Sequence, residues 1–289
     1  MRLTFLGTGT SIGVPAIGCQ CEVCRSTDSK DKRLRTSAMV ETENGLRILI
    51  DCGPDFRQQI LKQPFGKIDA VLITHIHYDH VGGIDDLRPF CMFGDVDIYA
   101  QKDVIEGLHT AMPYCFRKQL YPGVPHLRLH EAIAGVPIDI DRPREIKVLL
   151  PPSGADLSGR LHTEGRTETI PPVLESLRVT PIPVLHGKIP ILGYRLGKMA
   201  YISDMKSVTD GTLELLQGVE VLVVNALRFE KQHHSHQLVE DAVSFSRMIG
   251  VKKTYLIHVT HDIGTHDAAN RRLPEGFFFA YDGLTIEVE

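Results

Sequence analysis

The 289-residue sequence lacks any apolar run that approaches the roughly 20 residues of a membrane-spanning helix. It also lacks the pattern of a secretory leader, because the apolar start at Met1–Leu6 is short and two glycines interrupt it. We therefore expect a cytoplasmic protein that has no membrane partner. An excess of positive charge is missing too, since 32 Lys and Arg stand against 36 Asp and Glu. A net charge of −4 is not the overall footprint of a nucleic-acid-binding protein, although it is compatible with a local basic patch.

The composition is ordinary for a globular protein with a sizeable core, at 43% hydrophobic and 24% charged residues. A chain of this length forms one large domain or two small ones. Residues 117–177 are the least regular part, with two Pro-Pro pairs and several single prolines and glycines. We predict one domain over residues 1–289 with a loop-rich insertion at about 117–177. Loops of that length are often lids or binding elements.

The most specific stretch is Thr74–Gly83, with the sequence T-H-I-H-Y-D-H-V-G-G. It follows the apolar run Ala70–Thr74, which predicts a buried strand. Four residues with metal-binding side chains fall within six positions: His75, His77, Asp79 and His80. Alternation along an extended segment places the last of them on the other side from the first three, so the loop can serve two adjacent ions. Nitrogen and carboxylate donors suit zinc, manganese or iron. The alternative is a solvated histidine-rich loop without a metal.

Further side chains of the same types follow apolar strands elsewhere in the chain. His186, Asp204 and His258 each stand at the end of such a run. Any one of them alone is more often a capped strand end than a ligand. Their conjunction with the histidine loop favours one di-metal centre. Asp51 also ends a strand, where it either hydrogen-bonds the histidine loop or caps the helix predicted at Pro54–Gln63.

A second cluster of potential ligands is C-Q-C-E-V-C, which contains Cys19, Cys21 and Cys24. In a chain without an export signal, this spacing favours metal binding over disulfides. Three thiols can hold one zinc ion when a fourth ligand comes from elsewhere, and a closed site of that kind is structural. The alternative is three unliganded thiols.

The T-H-I-H-Y-D-H stretch resembles the H-x-H-x-D-H motif of the metallo-β-lactamase superfamily, and the resemblance covers most of the chain outside residues 117–177. It implies an α/β fold, a four-layer αββα sandwich of two similar halves with the site at one sheet edge. It also implies a first metal bound by His75, His77 and His186, and a second bound by Asp79, His80 and His258. Asp204 would bridge the two ions.

Within that superfamily, G-T-G-T-S-I-G-V-P and C-Q-C-E-V-C look like the phosphoribosyl cyclic phosphodiesterases of phosphonate breakdown. This resemblance implies that His261 joins the three cysteines at a structural zinc. It also implies that His236 is a general acid, at the amino end of a helix predicted over Gln237–Ile249. A helix N-terminus favours a bound phosphate, and imidazole is suited to proton transfer near neutral pH. The alternative is that His236 only caps the helix.

The expected activity is hydrolysis of a small phosphodiester, such as a cyclic ribose or nucleotide phosphate, by a hydroxide held between two metals. The expected catalytic residues are His236 and Asp79. The expected cofactors are two divalent ions (zinc or manganese, with iron a further candidate) and one structural zinc. A homodimer is left open.

Three rival functions share parts of this pattern. A tRNA 3′-end-processing endonuclease of the ribonuclease Z kind has the histidine motif, but this chain has no basic arm to bind RNA, so nucleic acid is the less favoured partner. A glyoxalase-type thioester hydrolase does not account for the cysteines. An accessory protein like the pyrroloquinoline quinone biosynthesis protein has a similar cysteine loop but does not account for the complete ligand set.

Overall fold

Two β-sheets form the centre of the molecule. The computed structural model describes residues 1–121, 123–150 and 166–289. Its strands, in chain order, are β1 (Arg2–Gly7), β2 (Ser37–Glu41), β3 (Arg47–Ile50), β4 (Ala70–Leu72), β5 (Val96–Ala100), β6 (Leu127–Glu131), β7 (Ile138–Arg142), β8 (Ile146–Leu150), β9 (Arg166–Ile170), β10 (Val173–His186), β11 (Ile189–Leu196), β12 (Met199–Ile202), β13 (Ser207–Val208), β14 (Val221–Asn225), β15 (Lys253–Ile257), β16 (Phe277–Phe279) and β17 (Thr285–Glu287).

Short helices connect these strands. They are α1 (Glu22–Arg25), α2 (Phe56–Ile60), α3 (Tyr78–Val81), α4 (Lys102–Ala111), α5 (Thr212–Leu215), α6 (Val239–Ile249) and α7 (His266–Asn270), with 3₁₀ helices at Ser29–Asp31, Ile84–Phe93, Pro113–Cys115 and His261–Ile263. Among the described residues, no helix is both long and apolar enough to cross a membrane.

The two sheets repeat one arrangement. The first has the order β17-β1-β2-β3-β4-β5-β6, and the second has the order β13-β10-β11-β12-β14-β15-β16 with β7 added against β10. In each, antiparallel strands lead into four parallel ones, which are β3, β4, β5 and β6 in the first sheet and β12, β14, β15 and β16 in the second. The parallel strands β3, β4 and β12 are nearly continuous apolar runs because both of their faces are covered. Their carboxyl ends carry the residues of the candidate site.

Three apolar clusters divide the fold into layers. The central one joins the facing sides of both sheets and includes the buried Phe5, Ile48, Tyr194, Tyr201 and Val223. The outer face of the second sheet packs on α6, and the outer face of the first packs on α4 and the segment Ile84–Phe93. The order is therefore helix, sheet, sheet, helix, which confirms the predicted four-layer αββα sandwich.

The part predicted to be a loop-rich insertion is more regular than expected. Residues 117–177 contain β6 to β9 and the start of β10. The alternating run at Ile138–Arg142 fits a half-buried strand, and β7 adds to the second sheet beside β10. The described prolines of this part all lie outside the strands, where a missing N–H breaks no ladder bond: Pro125, Pro137, Pro143, Pro171 and Pro172. Pro122 and residues 151–165, which belong to this predicted insertion, lie outside the described residues.

The last two strands do not pair with each other, because β16 joins β15 in one sheet and β17 joins β1 in the other. One further local prediction needs correction. The helix predicted over Gln237–Ile249 begins later, at Val239. Asp241 accepts a hydrogen bond from the Leu238 backbone N–H at 2.9 Å, which fixes that start.

Candidate metal centre

The metal-capable residues predicted from the sequence lie at one edge of the sandwich, where strands end. His186 is the last residue of β10, Asp204 follows β12, and His258 follows β15 directly. The histidine loop follows β4 and continues into α3. His75, His80, Asp204 and His258 are each at most 2% exposed. The two halves of the fold therefore bring together side chains that are far apart along the chain.

Three of these strand ends share an unusual backbone conformation. Asp51, Asp204 and His258 have φ angles of 59°, 58° and 53°. A left-handed backbone at a non-glycine residue costs about 1–3 kcal/mol and persists only where the surrounding structure fixes it. The strained positions mark the site independently of its chemistry. The sequence did not predict this feature, although Asp and His tolerate it better than β-branched residues do.

The predicted ligands form two adjacent groups, a third group of His186, Asp204 and His236 overlaps them, and within each group the ligand atoms all lie within 4.8 Å of one another. The members of the first group are His75, His77 and His186, and those of the second are Asp79, His80, Asp204 and His258. Asp204 lies between the groups: its Oδ2 is 3.8 Å from His75 Nε2 and 3.3 Å from His258 Nε2. This grouping corresponds to the two ligand sets expected from the motif.

Several buried nitrogens in this cluster lack a hydrogen-bond partner. They include Nε2 of His80 and both ring nitrogens of His258. Nε2 of His80 lies 3.2 Å from Asp79 Oδ2 and 3.5 Å from Asp204 Oδ1, without the geometry of a hydrogen bond. Because unsatisfied buried polar atoms are costly, a cation among these imidazoles and carboxylates is the group that would satisfy them. The residues present therefore fit divalent metal ions.

The pKa shifts of two ligands favour the protonation states that bind a metal. Burial alone would raise the pKa of Asp204, but the neighbouring His258 and His80 hold it well below its usual value. Burial and the charge of His80 lower the pKa of His75 well below its usual value. An ionised carboxylate and a neutral imidazole are the forms that bind metals.

His80 behaves differently. Burial opposes its protonation, but Asp51 and Asp204 raise the pKa of His80 well above its usual value. A metal must therefore displace a proton from this imidazole.

Hydrogen bonds to Nδ1 orient the rings of two predicted ligands, His80 and His186. Nδ1 of His80 lies 2.7 Å from Asp51 Oδ2, and Oδ1 of the same carboxylate accepts the Thr74 backbone N–H at 2.8 Å. The structure thus places Asp51 against the histidine loop, while α2 begins after Asp55. Nδ1 of His186 donates to the backbone oxygens of Asp204 and Ser235 at 2.8 and 3.0 Å. These contacts leave Nε2 of both rings for the site.

His236 lies directly beside the second group of ligands. Its Nε2 is 3.2 Å from Asp204 Oδ2, and its ring stacks on that of His258 with centroids 4.9 Å apart. Burial lowers the pKa of His236 to about 4, against the opposing effect of Asp204. Because α6 begins at Val239, His236 lies before the helix and not in its first turn. The expected proximity to the site is present, but the expected position on the helix is not.

The cysteines form a separate group with His261. Their Sγ atoms and the imidazole lie within 4.8 Å of one another, as a single metal ion requires. His261 Nδ1 is 3.4 Å from Cys21 Sγ and 3.9 Å from Cys19 Sγ. A hydrogen bond from the Cys24 backbone N–H is the main cause that lowers the pKa of Cys21 to about 7, which favours the thiolate that binds metals.

The model of the beta-lactamase superfamily domain matches residues 46–259, which contain both active-site groups. The chain belongs to the beta-lactamase superfamily. The family indicates a hydrolase fold. The geometry shows residue clusters that could hold metal ions.

Two solved structures with this fold cover the whole chain. A crystal structure described as a new diphosphatase from the PhnP family matches 100% of this chain and 98% of its own, at 34% identity and a TM-score of 0.79. The zinc-bound PqqB of Methylobacterium extorquens matches all of both chains at a TM-score of 0.67, but at 18% identity it shares only the fold.

A curated relative has a different name. The octanoyltransferase of Porphyromonas gingivalis is 40% identical over all 289 residues of this chain, which cover 52% of that protein. The chain thus spans about half the length of this curated relative.

Two residues that contact the candidate site were not predicted from the sequence. Thr74 Oγ1 contacts Asp51 at 3.0 Å, and His233 lies 3.0 Å from His236. Thr74 opens the histidine loop and could have been suspected from that position. His233 belongs to the run H-H-S-H, in which spacing alone does not separate one histidine from another.

Proposed function

We propose that this superfamily member is a dinuclear metal-dependent phosphodiesterase that acts on a small substrate. The observation that supports the proposal most is the pair of adjacent ligand groups with Asp204 between them. Two divalent ions, zinc or manganese with iron as a further candidate, would supply an activated water and positive charge against phosphoryl oxygens. The similarity to a PhnP-family diphosphatase makes phosphorus the favoured centre of attack.

The chain's own residues would hold and complete this centre. His75, His77 and His186 would hold one ion, and Asp79, His80 and His258 the other, with Asp204 shared. Asp79 would act in catalysis only through the ion that it holds. A third, structural zinc would be held by Cys19, Cys21, Cys24 and His261.

His236 is the proposed general acid. It is the imidazole beside Asp204 that belongs to neither predicted ligand set, and its Nε2 faces the cluster. A bound anionic phosphodiester would favour the protonated form of this ring, against the effect of burial. Nε2–H would then donate to the departing alkoxide, a step that general acids accelerate by about 10²–10⁴-fold.

The proposal is tested by substrate screening with zinc-loaded and manganese-loaded protein. The substrates are a cyclic ribose phosphate, bis(p-nitrophenyl) phosphate, a diphosphate diester, a precursor tRNA and an octanoyl thioester. We expect turnover of the small phosphorus esters. Preferred cleavage of the tRNA, or of the thioester suggested by the curated relative's name, would overturn the substrate class.

Asp204→Asn is the matched variant for this screen. Because Asp204 contacts ligands of both groups, we expect it to lose both active-site ions and at least about 10²-fold in rate, and to keep the cysteine-bound zinc. Metal analysis of the purified variant measures this. Retention of two active-site ions would contradict the shared role of Asp204.

A further inference from the structure

A second histidine, His233, touches the proposed general acid on the side away from the metal ligands. Its Nδ1 lies 3.0 Å from Nδ1 of His236, and the two ring centroids are 4.9 Å apart. Nε2 of His236, at the other side of the ring, is 3.2 Å from Asp204 Oδ2. The His236 ring therefore spans the distance between His233 and the metal ligands.

The direction of the hydrogen bond between the two imidazoles follows from their neighbours. The Ser235 backbone N–H donates to His233 Nδ1 at 3.4 Å, and an amide N–H can only donate. His233 Nδ1 therefore carries a lone pair, and the hydrogen between the two rings must belong to His236 Nδ1.

The Ser235 hydroxyl supports the same direction. Its Oγ lies 3.1 Å from His236 Nδ1 and 3.3 Å from His233 Nδ1. Because a hydroxyl oxygen has lone pairs, it can accept part of the hydrogen bond that His236 Nδ1–H makes. The hydroxyl is therefore a second acceptor for the hydrogen on Nδ1 of His236, beside His233 Nδ1.

We propose that His233 is a positioning residue for His236. The 3.2 Å contact of Nε2 with the Asp204 carboxylate, which can only accept, also requires a hydrogen on Nε2, so the two contacts together fit the protonated ring that a general acid needs. His233 accepts the hydrogen on Nδ1 and so leaves the hydrogen on Nε2 as the one that is delivered. This inference rests on the proposed function, in which His236 protonates the leaving group. His233 belongs to neither of the two predicted ligand sets.

A purely structural role for His233 makes a different prediction. His233 is half-buried, and its ring also packs on the exposed His234 with centroids 4.4 Å apart. If it only stabilised this segment, its loss would slow every substrate alike or lower the melting temperature. A positioning role slows only the reactions that need a proton at the leaving oxygen.

The test compares His233→Leu, His233→Asn and His234→Leu in zinc-loaded protein. Asn can offer an oxygen near the position of Nδ1, so it is the conservative rescue, and His234→Leu is the matched control at the exposed neighbour. The substrates are a cyclic ribose phosphate, which needs an acid, and bis(p-nitrophenyl) phosphate, whose nitrophenolate leaves unaided. We expect His233→Leu to lower kcat for the first at least about tenfold more than for the second, with KM unchanged. His233→Asn should recover most of that loss, and His234→Leu should resemble wild type.

A second readout is independent of turnover. In ¹⁵N-histidine-labelled protein, the Nδ1–H signal of His236 should persist in His233→Asn and disappear from His233→Leu. Equal losses on both substrates, or no loss in His233→Leu where His236→Ala loses rate on the cyclic phosphate, would overturn the role of His233 alone. Failure of wild type to hydrolyse either phosphodiester would overturn the proposed function and this inference with it.

Discussion

Single residues behind the ligands carry much of the organisation of the candidate site. Asp51 is buried in a left-handed backbone conformation and binds both His80 and Thr74 through its carboxylate. Its contacts fix the ring of His80 so that Nε2 faces the cluster. The strain at Asp51 is therefore offset by its role in aligning a ligand that the histidine loop could not orient alone.

Replacing Asp51 with Asn tests this role. The amide keeps the shape of the side chain but loses the charge that holds His80, so we expect metal affinity at the second site to fall by about 10–100-fold. Competition with a chelator at fixed pH measures the affinity.

Asp55→Asn is the control for that variant, since Asp55 pairs with Arg35 at 2.6 Å and not with the histidine loop. Equal affinities of wild type and Asp51→Asn would show that His80 is oriented without Asp51.

At residue scale, the sequence singles out side chains whose chemistry is rare and clustered. The histidine loop stands out because three imidazoles and a carboxylate within six positions have few other uses. His233 did not stand out, since its role depends on a 3.0 Å contact that only the folded segment creates. The left-handed backbone at His258 could not be predicted either, because the surrounding structure imposes it and not the residue itself.

At the scale of elements, α7 is held to the rest of the fold by a buried imidazole. Nη2 of Arg33 donates to His266 Nδ1 at 3.1 Å, and the His266 backbone N–H binds Asp31. Burial, and then the charge of Arg33, lower the pKa of His266 to about 4. The docked helix therefore requires a neutral imidazole.

This contact predicts acid sensitivity. An unfolded histidine has a pKa of about 6.5, so the unfolded chain gains a proton first as the pH falls. The contribution of His266 to stability is complete above about pH 6.5 and is lost progressively toward pH 4. His266→Gln should remove this part of the decline.

Urea unfolding of wild type and His266→Gln at several values between pH 7 and pH 4 measures the difference. The metal ligands and the other carboxylates titrate in both proteins. The difference between the two slopes of unfolding free energy against pH therefore isolates His266. Parallel curves for the two proteins would rule out the imidazole as a source of acid sensitivity.

Elements were predictable where a strand is a nearly continuous apolar run, as in the buried β14. They were less predictable in residues 117–177, where β7 and β8 have the same length but carry charged residues and lie near prolines. The partners of β16 and β17 could not be predicted, because Asp282-Gly283 resembles a hairpin turn. The Gly283 backbone N–H instead binds the Phe5 carbonyl at 2.7 Å, which carries the chain to the other sheet.

Across the whole molecule, one buried ion pair joins the two sheets at the region predicted to be an insertion. Arg142, at the end of β7 in the second sheet, lies 3.2 Å from Asp69, just before β4 in the first. The guanidinium also donates to the carbonyl of Pro171 at 2.9 Å. The side chains are 6% and 0% exposed, so removing Arg142 leaves Asp69 buried with the Arg47 backbone N–H and the charges of Lys67 and Arg47 as its remaining compensation.

We therefore expect Arg142→Ala to lower the free energy of unfolding by about 3–5 kcal/mol. Arg178→Ala is the control, since the Arg178–Asp139 pair also joins strands of this region but is exposed, and solvent screening leaves such a pair little effect on stability. Denaturant unfolding measures both. Equal effects of the two substitutions would show that burial of the first pair does not matter.

The sandwich and its two ligand groups could be anticipated from the motif, because each ligand follows a strand and parallel strands end at one edge. The closeness of the two groups and the position of Asp204 between them were expected from the family resemblance. The individual distances could not be predicted, since they depend on how the halves pack through Tyr194, Tyr201 and the rest of the central core.

The most direct measurement of the central claim is hydrolysis of a cyclic ribose phosphate by the metal-loaded protein in H₂¹⁸O. Attack of water on phosphorus predicts one ¹⁸O atom in the phosphomonoester product. Metal dependence predicts loss of turnover when the active-site metals are chelated. Label found in the ribose hydroxyl, or turnover that survives removal of the metals, would contradict the central claim.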